Sequence, residues 1–351
     1  MNKNTIIYAI ILVYILYIVI YYQKKFIDTF SNVGIDIKGI GNLGAIHKYE
    51  LTGTTVYKNN NIEYIVTPIT PYFLCNHYIS TEIHSDSQKY IGLNLELKAN
   101  DLLKNKNYND IKNFDIIQIQ VDQFDVFYDT VLPIINKNNV NVIIITSQMH
   151  FPQIHKNNKT DNLLKNSNIL LWISQNPIYA NNKKYMAFPY GILHHNVNEY
   201  VNFIKSNNIN KDKTIKILNQ YASVHSHLPE NHIRRHYPIF STYCNKQRLN
   251  YTDFLTNILN AEFAISTSGD RDDCYRHYEC IGLNTIPVAN IAGGYKEIFE
   301  ENMIYSNAEE MINMINNNIV NYKYQKPNKN ILTISYWIIK INERIMDLQT
   351  I

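Results

Sequence analysis

The most informative part of the sequence is AISTSGDRDDCYRHYECIGLNTIPVAN, residues 264–290. An apolar run ends near residue 267, a polar loop follows, and a segment with a helical pattern leads into a second apolar run. This order predicts a strand–helix–strand unit of a parallel α/β sheet. Ligands of parallel sheets bind beyond the carboxyl ends of the strands, so the loop at 268–273 is the first place to look for a site.

This loop and the helix after it carry the groups that a nucleotide diphosphate needs. Ser268, Gly269 and Asp273 lie in the loop, where a glycine lets the backbone approach a ligand closely. Free N–H groups at the helix start attract phosphate, and Arg276 adds a guanidinium that can bind two oxygens. Glu279, three residues later, can accept hydrogen bonds from two ribose hydroxyls. The two charged residues could equally form a surface ion pair worth ~0.3 kcal/mol, and spacing alone leaves both interpretations open.

Strands and helices alternate along most of the chain. Further strands are predicted for the runs 115–121, 140–147, 169–174 and 213–222. Further helices are predicted for 124–135, 229–240, 306–319 and 331–348, with Ser306 and Glu309 as a capping box. The pattern predicts an α/β fold of two blocks of similar size, residues 46–195 and 196–351, with a cleft between them.

An apolar run near the start of the chain predicts a membrane anchor. Residues 5–22, TIIYAIILVYILYIVIYY, contain no charge and at ~1.5 Å per residue are about long enough to cross a bilayer. A cleaved signal peptide would need small residues before its cleavage site, but the run ends in YYQKK. We therefore expect an uncleaved transmembrane helix within residues 1–25 and a stem at 26–45.

Charge and cysteine usage exclude some classes of protein. The net charge is +3 over 351 residues, without a long basic run, which argues against a nucleic-acid partner. The four cysteines form no CxxC pair, so free or buried thiols are expected rather than a zinc site.

The order FAIS…G…D-C-x-R…E…G-x-x-x-I-P-V, read from Phe263 to Val288, resembles the C-terminal signature of exostosin-like glycosyltransferases. Less specific similarities extend the resemblance over roughly residues 110–320. It implies a GT-B fold, in which two Rossmann-like domains face a cleft. It also implies an inverting transfer of sugar from a nucleotide-diphosphate sugar to a glycan or glycoprotein, without a cofactor. Arg276 and Glu279 match the donor-site Arg and Glu of that family. Arg234 lies in a segment that resembles the start of its second domain and is assigned to the donor site as well.

An inverting transfer also needs a base that takes the proton of the acceptor hydroxyl. Asp122 and His150 each follow a predicted strand, and we expect one of them to be catalytic. Asp122 ranks first because a carboxylate is ionised at neutral pH without any shift of its pKa. His155 lies near the same edge, whereas His194 and His195 lie near the predicted hinge between the two blocks; these three are weaker candidates.

Two other interpretations stay open. Asp270 and Asp272 form a DxD motif of the kind that holds a divalent cation and a sugar diphosphate in GT-A transferases, although residues 267–269 separate it from the strand. Alternatively, the chain is a catalytically inactive sugar-nucleotide-binding or scaffold protein of the membrane. The histidines at 225, 227, 232 and 236 offer no compelling third ligand, so no metal site is expected.

The anchor and the family resemblance together predict a single-pass type II protein of the endoplasmic reticulum, Golgi or an equivalent secretory membrane. The sequons at Asn158 and Asn250 would then face glycosylating enzymes.

Overall fold

The computed structural model describes residues 65–68, 70–80, 108–147, 154–220, 222–242, 249–291 and 293–349. The expected anchor and stem at 1–45 lie outside these residues. Within the described part of the chain, no helix is both long enough and apolar enough to cross a membrane.

A first sheet has five parallel strands that hydrogen-bond in chain order. They are β1 (His77–Ile79), β2 (Ile116–Gln120), β3 (Val142–Ser147), β4 (Ile169–Ser174) and β5 (Tyr185–Ala187). The predicted strands at 115–121, 140–147 and 169–174 are confirmed, whereas β1 and β5 were not predicted. Nearly every residue of β2, β3 and β4 is buried, as expected for parallel strands that are covered on both faces.

A second sheet of four parallel strands also runs in chain order. It consists of β6 (Ile215–Leu218), β7 (Ala261–Ile265), β8 (Ile286–Ala289) and β9 (Ile304–Tyr305). The strand–helix–strand unit predicted for residues 264–290 is thus confirmed, with β7 and β8 paired in parallel. Because every strand of a sheet points the same way, all carboxyl ends of that sheet lie along one edge.

Helices lie between most successive strands, as the α/β prediction requires, although residues 175–184, between β4 and β5, contain none. The described helices are α1 (Thr70–Leu74), α2 (Phe124–Val126), α3 (Leu132–Asn138), α4 (Asn158–Lys165), α5 (Val197–Ser206), α6 (Ile233–His236), α7 (Tyr251–Asn260), α8 (Tyr275–Gly282), α9 (Lys296–Phe299), α10 (Ala308–Asn317) and α11 (Ile334–Gln349). A π-helical turn, Phe127–Val131, joins α2 to α3, which carries Pro133 in its first turn. A proline has no N–H to donate, so it is tolerated at this position.

Two predicted helix boundaries are wrong. The helix expected over 229–240 is α-helical only from Ile233 to His236, because the His232 side chain caps it at one end and Pro238 starts a 3₁₀ turn at the other. The capping box of α10 is formed by Asn307 and Glu310, one residue later than predicted. Ser306 instead donates its hydroxyl hydrogen bond to Glu310 Oε2 at 2.8 Å.

Each sheet has its own hydrophobic core. The first is built around Ile117, Phe127, Ile144 and Trp172, and the second around Phe263, Val288 and other residues. The last helix, α11, packs its apolar stripe inward, as predicted, and it lies against the first sheet. There the ring of Trp337 contacts that of Phe188, with 5.8 Å between the centroids.

Candidate functional site

The loop after β7 lies beside a cavity of about 390 Å³. The cavity is lined by Ile154, His155, Asn176, Pro177, Ile178, Leu228, Pro229, His232, Ser268, Gly269, Asp270, Arg271, Asp272 and Tyr295. The first five of these follow β3 and β4, and the last six follow β7 and β8. The carboxyl edges of both sheets therefore contribute to one cavity, and its volume is within the ~300–1,000 Å³ range of small-molecule sites.

Ser268 and Gly269, two predicted site residues, hold the loop in place along the cavity wall. Asn290, just after β8, accepts a hydrogen bond from the Ser268 N–H at 3.2 Å and donates one to the Ser268 hydroxyl at 3.3 Å. His232 Nε2 donates to the Gly269 carbonyl at 3.1 Å. Because His232 Nδ1 accepts from the Arg234 N–H at 3.2 Å, the imidazole is fixed as the neutral Nε2–H tautomer. Burial lowers the pKa of His232, in line with that neutral form.

Two carboxylates of the loop line the cavity. Asp270 accepts a hydrogen bond from His227 Nε2 at 2.8 Å. Asp272 is half-buried, and burial raises the pKa of its carboxyl group above the ordinary value. Its backbone carbonyl accepts a hydrogen bond from His277 Nε2 at 3.0 Å, which fixes the loop to α8.

Asn176 brings an amide from the first sheet to the opposite side of the cavity. Its side chain is 6% exposed, and its Nδ2 group donates to the Ile154 carbonyl at 3.2 Å. Its N–H donates to Ser174 Oγ at 3.1 Å, so the residue is anchored directly to the end of β4. The enclosed Oδ1 atom makes no hydrogen bond to any described residue. Such an atom is costly to leave without a donor, which marks it as an acceptor for a ligand.

Arg234 is a buried cation on the other side of the same loop. It is 9% exposed, and its guanidinium donates to Thr267 Oγ1 at 3.0 Å, to the Thr267 carbonyl at 3.0 Å and to the Ser223 carbonyl at 3.2 Å. All three acceptors are uncharged. Among the described residues, no carboxylate lies within ion-pair distance of it. Burial lowers its pKa, and the charge of the neighbouring Arg276 lowers it further.

Arg276 lies in the first turn of α8 and is half-buried. Its guanidinium stacks over the Phe254 ring, 5.3 Å from the centroid, and Nη1 reaches the Gln220 carbonyl at 3.5 Å. Arg276 therefore lies at the carboxyl ends of β6 and β7, outside the lining of the cavity. We call Arg234 and Arg276 the arginine pair.

Glu279 lies one turn further along α8 and is 1% exposed. Its Oε1 accepts a hydrogen bond from the Tyr251 hydroxyl at 2.7 Å, while Oε2 has no hydrogen-bond partner among the described residues. Burial raises the pKa of Glu279 to about 7, against the opposing effects of Tyr251 and Arg276. The carboxyl group is thus held by Tyr251 in a site far from water, unlike a surface ion pair.

Close packing fixes the helix that carries these residues. A Cβ atom at Gly282 would lie 1.9 Å from the Tyr200 hydroxyl oxygen, so α8 and α5 can approach this closely only with a glycine there. The Tyr200 hydroxyl donates to the Glu279 carbonyl at 3.3 Å.

Asp273, another predicted donor residue, connects the loop to the segment after β5. Its Oδ2 accepts from the Tyr190 N–H at 2.8 Å and from the Tyr278 hydroxyl at 2.7 Å. Burial raises its pKa to about 7. The structure thus shows Asp273 bound to protein groups outside the cavity lining, and its role toward a ligand stays a prediction.

The predicted bases differ in position. Asp122 lies in the 3₁₀ turn after β2, is exposed and is outside the cavity lining. His150 falls outside the described residues. His155, a weaker candidate from the sequence, does line the cavity and is exposed. The structure therefore brings together His155 and the loop carboxylates, while the catalytic assignments to Asp122 and His150 remain predictions.

Histidines and cysteines form no evident metal centre in the part of the chain that the structure describes, where no group of three possible ligands occurs. His225 and His227 stack with centroids 5.4 Å apart, and His232 caps α6 instead of joining them. Among the described cysteines, Cys274 and Cys280 are buried thiols outside any disulfide, and the Cys75 thiol donates to the Tyr72 carbonyl at 3.3 Å.

Several residues of the site were not predicted from the sequence: Asn176, Tyr251, Arg271 and Tyr295. Asn176 carried a usable signal, because it follows a predicted strand at the same edge as the loop. Tyr251 carried none, since its role depends on a contact with a residue 28 positions away.

Comparison with known proteins yields one distant structural similarity and no family. No family model matches the chain, and no curated protein matches it. Among solved structures, the chain is similar to a chain of the crystal structure of the GtfA/B complex, with 10% sequence identity and a TM-score of 0.34. The match covers 68% of this chain and 57% of that one, so the chain spans little more than half the length of that protein.

Proposed function

We propose that this chain is a glycosyltransferase that binds a nucleotide-diphosphate sugar at the arginine pair and transfers the sugar to an acceptor in the cavity. The observation that carries the proposal is Arg234, a buried guanidinium whose hydrogen bonds all go to uncharged groups. Burying a charge without a counter-charge is costly, and a second guanidinium beside it adds repulsion. A bound anion would relieve both costs.

A diphosphate suits this place better than a single charge does. Two guanidinium groups can each bind two phosphate oxygens, and the N-terminal end of α8 adds the positive end of its dipole. Glu279 lies one turn away and is buried, with Oε1 held by Tyr251 and Oε2 without a hydrogen-bond partner among the described residues. A ribose hydroxyl would supply the donor that Oε2 lacks. These positions support the pairing of diphosphate with Arg276 and of ribose with Glu279.

The finer features of the proposal rest on the sequence resemblance. They are the GT-B arrangement, membership of the exostosin-like family, an inverting mechanism and a single-pass type II location in a secretory membrane. Glycosylation of Asn158 or Asn250 in a secretory host, seen as a loss of mass after glycosidase treatment, would support that location. Cleavage of the folded part by protease added outside sealed microsomes would contradict it.

Donor binding can be tested on the full-length chain in detergent with a panel of nucleotide sugars and the corresponding nucleoside diphosphates. A ligand at 100 times its dissociation constant adds ~2.7 kcal/mol to the free energy of unfolding, which raises the melting temperature measurably. Arg276→Ala should abolish the rise. Arg235→Ala is the matched control, because that neighbouring arginine donates to the carbonyls of His225 and Ser226 instead. A panel without any stabilising nucleotide, or equal stabilisation of Arg276→Ala, would contradict the proposal.

The metal-dependent alternative has one observation in its favour, since Asp270 and Asp272 both line the cavity. It predicts that nucleotide binding requires a divalent cation and is lost when chelator is added. Binding that is equal with and without chelator would exclude this alternative and favour the arginine pair.

A further inference from the structure

We infer that the cavity binds a sugar residue that carries several free hydroxyls and no acidic group, recognised by Asn176, Asp270 and Asp272. As an acceptor site this inference rests on the proposed function, whereas the binding of such a sugar can be measured independently of it.

The first argument is that the cavity wall offers hydrogen-bond acceptors and donors together. The carboxyl groups of Asp270 and Asp272 bring oxygen acceptors, and the guanidinium of Arg271 in the same wall can only donate. The Oδ1 atom of Asn176 still lacks a donor, while its Nδ2 group is already bound to the Ile154 carbonyl. His232 likewise has its N–H bound to the Gly269 carbonyl. A ligand that fits must therefore both donate and accept hydrogen bonds, and every free hydroxyl of a sugar can do both.

The second argument is charge. Two carboxylates line the cavity against the one guanidinium of Arg271, which is 5% exposed and lies over the Tyr190 ring, 5.3 Å from the centroid. A uronic acid or a sugar phosphate would bring further negative charge beside Asp270 and Asp272. Repulsion of like charges in a partly buried site discriminates strongly between partners.

The third argument is the apolar part of the wall. Pro177, Leu228, Pro229 and the ring of Tyr295 share the cavity with the polar groups. A sugar ring presents C–H groups on its faces and hydroxyls around its rim, so it can satisfy both kinds of surface at once. A hydrated cation or a free phosphate would leave the apolar part without a partner. The mixture of apolar wall and a few placed polar groups is typical of small-molecule sites.

The test uses the full-length chain on an array of neutral, amino-bearing, uronic-acid and phosphorylated glycans, followed by calorimetric titration of the best binder of each class. Neutral or amino-bearing glycans should bind, and acidic ones should bind at least tenfold more weakly. Asn176→Ala should weaken neutral binding about fivefold, the loss expected for one hydrogen bond of about 1 kcal/mol. The exposed Asn313→Ala is the matched control.

Asp272→Asn keeps the shape of the wall and removes one carboxylate. It should therefore reduce the ratio of the affinity for neutral glycans to the affinity for acidic glycans. This second variant keeps the inference testable if Asn176→Ala folds poorly, which its melting temperature will show. Preferential binding of acidic glycans, no binding to any neutral glycan, or identical affinities of Asn176→Ala and Asn313→Ala would each overturn the inference. So would binding of Mn²⁺ alone that Asp272→Asn abolishes, because the carboxylates would then hold a metal.

Titration of a nucleoside diphosphate into the same protein separates this inference from the proposed function. If the nucleotide binds and no neutral glycan does, the inference fails and the proposed donor site stands. If neutral glycans bind and no nucleotide does, the sugar site stands and the transferase proposal fails.

Discussion

The two sides of the loop at 266–274 differ in charge. On one side, Arg234 and Arg276 form the arginine pair at the ends of β6 and β7. On the other, Asp270 and Asp272 line the cavity that the two sheets share. One loop therefore separates a place suited to an anion from a place suited to hydroxyl groups. A sugar transferase needs both places side by side, because its donor is a diphosphate and its acceptor is an alcohol.

The largest effect is expected from Arg276→Ala on the arginine side. If Arg276 stabilises the diphosphate as it leaves, its loss should lower kcat by ~10²–10³-fold, as for other preorganised charged groups. Steady-state kinetics with the best donor of the nucleotide panel measure this. Because the side chain is half-buried against Phe254, the melting temperature should change little. Wild-type turnover in this variant would remove the arginine pair from the mechanism.

Asp273→Asn tests how the loop between the two sides is held. Burial raises the pKa of Asp273 to about 7, so from about pH 4 to 7 the folded chain binds a proton that the unfolded chain has lost. The wild-type free energy of unfolding should therefore fall as pH rises through this window. Glu279, whose pKa is also raised to about 7, contributes a loss of the same sign.

Removing the Asp273 carboxyl should roughly halve that loss, a change on the order of 2–3 kcal/mol between pH 5 and 8. Urea unfolding at both pH values measures it. The Tyr190 N–H and the Tyr278 hydroxyl keep an acceptor, because asparagine retains one side-chain oxygen. An unaltered pH dependence in Asp273→Asn would mean that Asp273 is ionised in the folded protein at low pH as well.

The sequence predicted the scaffold better than it predicted the site. Apolar, β-branched runs predicted most of the long strands, because a parallel strand that is buried on both faces is a continuous run of apolar residues. The three-residue strands β1 and β5 leave too short a signal to distinguish from a loop. The helix at 229–240 was predicted too long, because its residue pattern does not show that His232 caps the helix start and that a 3₁₀ turn begins at Pro238.

Individual site residues were predictable only where they directly follow a strand, because the end of the strand then fixes where they lie in the fold. Arg276 and Glu279 follow β7 at helical spacing, and the structure does place both on α8. Sequence spacing could not predict the neighbours of these two residues. Glu279 is hydrogen-bonded to Tyr251 of α7, and Arg276 lies beside Arg234 of α6. Long-range contacts of this kind also decide that Asp273 faces Tyr190 and not the cavity.

Glu279→Gln should have a smaller effect and a different kinetic signature from Arg276→Ala. The amide keeps the shape and can still accept from Tyr251, but it weakens the hydrogen bonds to a ribose far from the reacting carbon. Such binding is similar in the ground and transition states, so KM for the donor should rise about tenfold while kcat changes less. Michaelis constants measured above pH 7, where wild-type Glu279 is mostly ionised, give the fairest comparison. A fall in kcat alone would place Glu279 at the chemistry instead.

Added salt should produce the smallest effect and distinguishes the two sides of the loop directly. A diphosphate at the arginine pair, of which only Arg276 is half-exposed, is held partly by charge. The screening length shortens from ~30 Å at 0.01 M salt to ~3 Å at 1 M. We expect nucleoside diphosphate to bind about threefold more weakly at 0.5 M than at 0.05 M potassium chloride, a modest change because Arg234 is buried and poorly screened. A neutral glycan in the cavity has no charge to screen, so its affinity should change less than twofold over the same range. Calorimetric titration of both ligands into one protein preparation makes the comparison internal. Equal salt dependence for the two ligands would mean that they share one site, and the separation of an arginine side from a carboxylate side would then be wrong.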